Sequence, residues 1–109
     1  MEGMEFTIHV ETRSGTPWDP DVFDRLNQRF WASGALGPAL IFDNRAGGYR
    51  CTFQVEAADL EAGLDTGWRL VTTVLKGTGT SACVFEIYEG GSDAYAAATS
   101  PEKPELVDA

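Results

Sequence analysis

Histidine occurs once in this chain, cysteine twice, and lysine and arginine together only 8 times in 109 residues. Each scarcity removes a class of reading. Two cysteines with no Cys-x-x-Cys spacing and one histidine with no histidine partner build neither a disulfide framework nor a zinc site of familiar spacing, so no metal and no other cofactor is expected. Seventeen acids against those 8 bases leave a net charge of −9. Duplex binding relies on Lys and Arg neutralising phosphates, so nucleic acid is not an expected partner. No apolar run approaches the ~20 residues of a membrane-spanning helix. No basic segment precedes an apolar stretch near Met1. The expectation is a soluble, cytoplasmic protein that does not touch a membrane.

What is present reads as one folded domain. The chain is 43% hydrophobic and 23% charged, which is ordinary for a globular protein and argues against disorder throughout. A domain of this length buries roughly 60–70% of its unfolded surface and needs no cross-link to fold. The acidity is uneven. Residues 1–88 hold 12 acids and 7 bases, whereas residues 89–109 hold 5 acids and 1 base.

Period two dominates the first segment. Phe6, Ile8 and Val10 face one way, and Thr7, His9 and Glu11 face the other, as in a half-buried strand. After the break at residues 13–17, Asp19 stands as a helix N-cap with Pro20 at the first helical position. Trp18 and Phe23 have the spacing of a hydrophobic staple. Val22, Phe23, Leu26 and Phe30 follow as one stripe, with Trp31 off its centre and covering its edge. Gly34 and Gly37-Pro38 are read as ending this helix. A short strand over 39–42 and an alternating one over 49–56 form a hairpin around the turn Asp43 to Gly48. Tyr49, Cys51, Phe53 and Val55 point inward.

A second helix is predicted from about Asp59 to Lys76, on the stripe Leu60, Leu64, Trp68, Val71 and Leu75. Gly63 and Gly67 weaken it by roughly 1 kcal/mol each relative to alanine. Their return is a close approach of helix to sheet. A last strand over 82–89 sends Cys83, Phe85 and Ile87 inward, and Val84, Glu86 and Tyr88 outward. Gly90-Gly91-Ser92 reads as a hinge. The remainder lacks an apolar period and reads as disordered over 96–109, with one helical turn around Tyr95.

This order predicts an α+β, ferredoxin-like βαββαβ sandwich. Its four-stranded antiparallel sheet has the order 4-1-3-2, with two helices on one face. The domain spans 1–92, and 93–109 is an acidic flexible tail. In that order the first strand separates Cys51 from Cys83 by about 9–10 Å, beyond the reach of a disulfide. Both are expected as buried free thiols.

No motif assigns a catalytic residue. Gly77-Thr78-Gly79-Thr80-Ser81 lacks the lysine and spacing of a phosphate loop and follows a helix C-terminus, where the dipole repels anions. Asp19, Asp21 and Asp24 serve helix capping rather than calcium. Trp18, Trp31 and Trp68 read as core or core-edge residues. The face left open by the helices is the better clue. His9, Arg50, Gln54, Glu86 and Tyr88 on that face are the candidate ligand- or partner-binding residues. RNA-recognition domains share this topology but read bases with aromatics on the central strands. Here those positions hold Thr7, His9, Arg50, Thr52 and Gln54.

The leading expectation is a non-enzymatic binding or regulatory module, acting on a protein partner or on itself as a homodimer through the open face or an edge strand. A small dimeric enzyme using His9, of the cofactor-free oxygenase or isomerase type, is one alternative. An acidic inhibitor that occupies a basic partner is the other.

Overall fold

A computed structural model describes residues 3–13, 15–45 and 47–89, and the backbone of 93–98. The element order is β1 (Met4–Thr12), α1 (Pro20–Ala32), β2 (Leu36–Asp43), β3 (Gly48–Ala57), α2 (Leu60–Leu75), β4 (Ala82–Glu89) and β5 (Asp93–Ala98). The fold is α+β. The sheet order is β2-β3-β1-β4-β5, and every neighbouring pair is antiparallel. Its first four strands have the expected order read in reverse. No helix among the described residues is long and apolar enough to cross a membrane.

The local signals act as their chemistry dictates. The Asp19 side chain accepts from the Asp21 and Val22 amides and starts α1. Trp18 packs on Phe23 with ring centroids 5.5 Å apart, which completes the staple. The Tyr49 hydroxyl, on a residue only 1% exposed, donates to the Asp19 carbonyl at 3.1 Å. This bond ties the start of α1 to β3. At the far ends of the helices, Arg29 donates to the carbonyls of Val74 and Lys76 at 3.0 and 2.7 Å. Those carbonyls have no partner within α2, and a cation suits the negative end of its dipole.

Both helices cover the sheet face that carries Phe6, Ile8, Phe53, Phe85 and Ile87, all essentially inaccessible to solvent. Phe30 of α1 meets Phe53, and Trp68 of α2 meets Phe85 edge-on. The two glycines of α2 lie directly on β1. A Cβ at Gly63 would come within 2.8 Å of the Phe6 ring, and one at Gly67 within 2.8 Å of Ile8 Cδ1. The absence of a side chain is therefore what lets the helix seat at this depth.

Four details differ from expectation. First, Asp93–Ala98 runs as a strand beside β4, not as a helical turn around Tyr95. The sheet accordingly has five strands, not four. The edge of β4 offers unpaired N–H and C=O groups, and backbone pairing satisfies them whatever the side-chain pattern. The expected tail over 93–109, read as disordered from 96, thus begins with a strand, and its remainder, 99–109, lies with the expected hinge at residues 90–92 outside the described residues.

Second, Cys83 is half-buried rather than buried, while Cys51 is buried and both are free. The β1–β4 register passes from Glu11↔Val84 to Thr12↔Ala82. That bulge leaves Cys83 without an opposite residue and puts Ala82 in the core. Burial pushes the Cys51 thiol up to about 12. Third, Gly37-Pro38 does not end α1. The helix stops at Ala32, followed by Gly34 at φ +94°. Gly37 and Pro38 sit inside β2 at a register shift. Fourth, Trp31 is 60% exposed and Trp18 is 52% exposed. Trp31 thus stands in solvent, whereas Trp18 lies at the core's edge on Phe23, Phe42 and Tyr49, and Trp68 is packed against the core.

Replacing Gly63 with alanine tests the close approach. Helix propensity alone favours alanine by about 1 kcal/mol, whereas overpacking against a buried, rigid ring costs about 1–3 kcal/mol. The expected result is a lower urea midpoint for Gly63→Ala. A raised midpoint would show that α2 does not need the glycine to seat.

Candidate functional site

β1 is central, so its outward residues have neighbours on both sides. His9 lies opposite Thr52 of β3 and Glu86 of β4. One rung along, Glu11 lies opposite Arg50 and Val84. One rung the other way, Thr7 lies opposite Gln54 and Tyr88. Strand parity alone delivers this set to the uncovered face. Thr7, His9, Glu11, Arg50, Thr52, Glu86 and Tyr88 line one shallow depression there. Four of the five candidates read from the sequence, His9, Arg50, Glu86 and Tyr88, are thus brought together. Gln54 is exposed and sits outside the depression, between Thr7 and Leu36 in the ladder.

Two residues beyond those five complete the site. Glu11 Oε2 is 2.8 Å from His9 Nε2, and Thr52 Oγ1 is 3.1 Å from His9 Nδ1. The imidazole is therefore held at both nitrogens. Glu86 faces His9 across the β1–β4 ladder, yet the ring bonds Glu11, two residues along its own strand. Glu11 and Thr52 were visible as outward residues. Their distinguishing mark is contact with both sides of one ring, which parity does not reveal.

Arg50 spans two carboxylates. Its Nη2 lies 3.4 Å from Glu11 Oε2 and its Nη1 lies 3.2 Å from Asp43 Oδ2. Its Nε is buried and finds no acceptor among the described residues. The hydrogen bond from His9 holds the Glu11 carboxyl below the usual carboxylate range, against the opposing effect of burial, and Arg50 adds to the depression. The Tyr88 phenol is pushed up, first by burial and then by its bond to the Glu86 carboxylate. A carboxylate, an imidazole and a hydroxyl in sequence can orient a base. The same constellation with Glu86 can also hold a cation, because donor atoms of His9, Glu11 and Glu86 all lie within 4.8 Å of one another.

A second concavity was not foreseen. A cleft of about 400 Å³ opens at the end of α2, where Arg13, Trp68, Thr72, Lys76, Thr80 and Ala82 are among its walls. The turn over 77–81 acts as one of those walls. Its place after the C-terminus of α2 is unsuited to an anion.

The Glu11 environment has a definite pH signature. Because its folded-state value is lowered, its ionisation stabilises the fold above the ordinary value of 4.5. That contribution is lost as the pH falls through the lower folded value. Carboxyl NMR titration should show the Glu11 midpoint rising in His9→Ala. An unchanged midpoint would mean that the His9 bond does not hold the carboxylate.

The chain matches no family model, no curated protein and no solved structure.

Proposed function

We propose that the chain is a ferredoxin-like, non-enzymatic binding module that presents its open sheet face to a ligand and self-associates as a homodimer along the β2 border of that face. The observation that supports this reading most strongly is how the face is divided. Its middle carries the linked side chains of His9, Glu11, Arg50 and Thr52. Its β2 border carries Leu36 and Ile41, 43% and 54% exposed. Polar groups already held by one another lose little further freedom when a ligand arrives, which favours binding. Exposed apolar side chains bordering a polar patch are the ordinary mark of a protein contact.

Catalysis is served less well by the same surface. The backbone N–H groups of β1, β3 and β4 point along the sheet into their ladders, not out of its face. Arg50 is therefore the fixed positive charge in the depression that could meet a developing negative charge, and it is already engaged by two carboxylates. The border also favours side-chain packing over a shared ladder. Pro38 has no N–H, and the register shift between Leu36 and Ala39 interrupts the strand edge, as at protected edges generally.

Light scattering at low and at high salt tests the self-association. The expected result is a dimer at both, converted to a folded monomer by Ile41→Glu, because an apolar contact gains little from ion pairing and fails when a charge is buried in it. A wild-type monomer at both salts would contradict the homodimer. A dimer that survives Ile41→Glu would place the contact elsewhere.

A further inference from the structure

We propose that His9, Glu11 and Glu86 form a binding site for a divalent transition-metal ion, with Zn²⁺ as its reference occupant. The proposal rests on reading the open face as a ligand surface and names the ligand class that its central depression takes.

Three side chains from two neighbouring strands converge there, and one donor atom of each lies within 4.8 Å of the others. Donors around a zinc ion sit about 2.0–2.2 Å from the metal, so they are roughly 3–3.5 Å apart. The His9–Glu11 pair, hydrogen-bonded at 2.8 Å, sits just inside that spacing and needs only a small opening to admit an ion. Turning the Glu86 side chain, on the adjacent strand, closes the remaining gap. One imidazole nitrogen with two carboxylate oxygens suits zinc, manganese, cobalt or nickel in the divalent state. It does not suit a copper(I) site, which wants thiolate or thioether. Three protein donors leave a coordination position for water or for a group on a second ligand.

The surroundings fit an ion as well as the donors do. A metal-bound imidazole generally donates its other N–H to an oxygen acceptor, which fixes the ring and its tautomer. Thr52 Oγ1 stands at that position, 3.1 Å from His9 Nδ1. A hydroxyl both donates and accepts. Without an ion, the Nε2 proton bonds Glu11 and Thr52 donates to Nδ1. With an ion on Nε2, the ring proton resides on Nδ1 and bonds Thr52. One residue therefore serves both states without moving. Arg50 opposes the ion across 3.4 Å from Glu11, but its bond to Asp43 at 3.2 Å offers it a second anchor. The net charge of −9 favours the approach of a cation.

The test is calorimetric titration of the full chain with Zn²⁺ near neutral pH, with Co²⁺ as a spectroscopic substitute. One ion per chain is expected. His9→Ala, Glu11→Gln and Glu86→Gln should each weaken binding by about tenfold or more, and Thr52→Val by about tenfold, through the ring it positions. Asp24→Asn, on the exposed face of α1, should change nothing. Because the chain has one histidine, an NMR shift of its ring signals on adding Zn²⁺ supplies a readout that needs no variant. Absence of Zn²⁺ binding, or binding that leaves the His9 ring and the three donor substitutions without effect, would overturn the proposal. Light scattering on the same samples separates the two readings. A chain that stays dimeric and ignores Zn²⁺ loses the metal site alone. A monomer that binds Zn²⁺ through His9 keeps the metal site and loses the homodimer alone.

Discussion

α2 can lie against β1 only because Gly63 and Gly67 present bare backbone to Phe6 and Ile8. Any side chain at Gly63 would meet the Phe6 ring at 2.8 Å. That contact decides the rest of the layout. It seats α2 over the middle of the sheet and brings Trp68 onto Phe85. It also leaves room beside α2 for α1, whose Phe30 fills the space over Phe53. One face is thereby sealed by apolar contacts. The helix gives up roughly 1 kcal/mol of intrinsic propensity at each glycine. Burial of Leu64, Val71, Val74 and Leu75 on the same helix, each less than a tenth exposed, more than offsets it at about 1.5–3 kcal/mol per side chain of this kind.

The open face is the complement of that seal. Alternation along β1 sends Phe6, Ile8 and Val10 under the helices and, by the same geometry, sends Thr7, His9 and Glu11 outward. The central place of β1 surrounds those three with residues from β3 and β4. The polar cluster around His9 therefore follows from sheet order and parity, with no special loop required. A rigid sheet positions side chains more narrowly than a loop does, and the bonds at both nitrogens of His9 narrow the ring's orientation further.

The parts legible in the sequence are those written in period and capping. The alternation over 5–12 and 49–56 marks β1 and β3, and Trp18, Asp19 and Pro20 mark the start of α1. Once the sheet order is assumed, parity also assembles His9, Arg50, Glu86 and Tyr88. Three features escape a periodic reading for separate reasons. β5 is held by backbone pairing, which leaves no side-chain signature in Asp93–Ala98. Cys83 leaves the core because a single-residue bulge shifts the phase between Ala82 and Val84. The Glu11–His9 bond depends on how two long side chains bend along one strand, and strand position does not record that. Gln54 illustrates the converse: it shares the parity of the site and the rung of Thr7 and Tyr88, yet it does not line the depression.

The central claim is that the His9 ring is held in one orientation and one tautomer, rather than averaging among solvated positions. Long-range ¹H–¹⁵N correlation of the chain's single imidazole at mildly alkaline pH tests this without assignment ambiguity. A ring held between Glu11 and Thr52 has its proton on Nε2. The account predicts two widely separated nitrogen shifts, with an Nε2–H proton that exchanges slowly with water. Two intermediate shifts, with that proton lost to rapid exchange, would contradict it and reduce the cluster to an ordinary solvated sheet face.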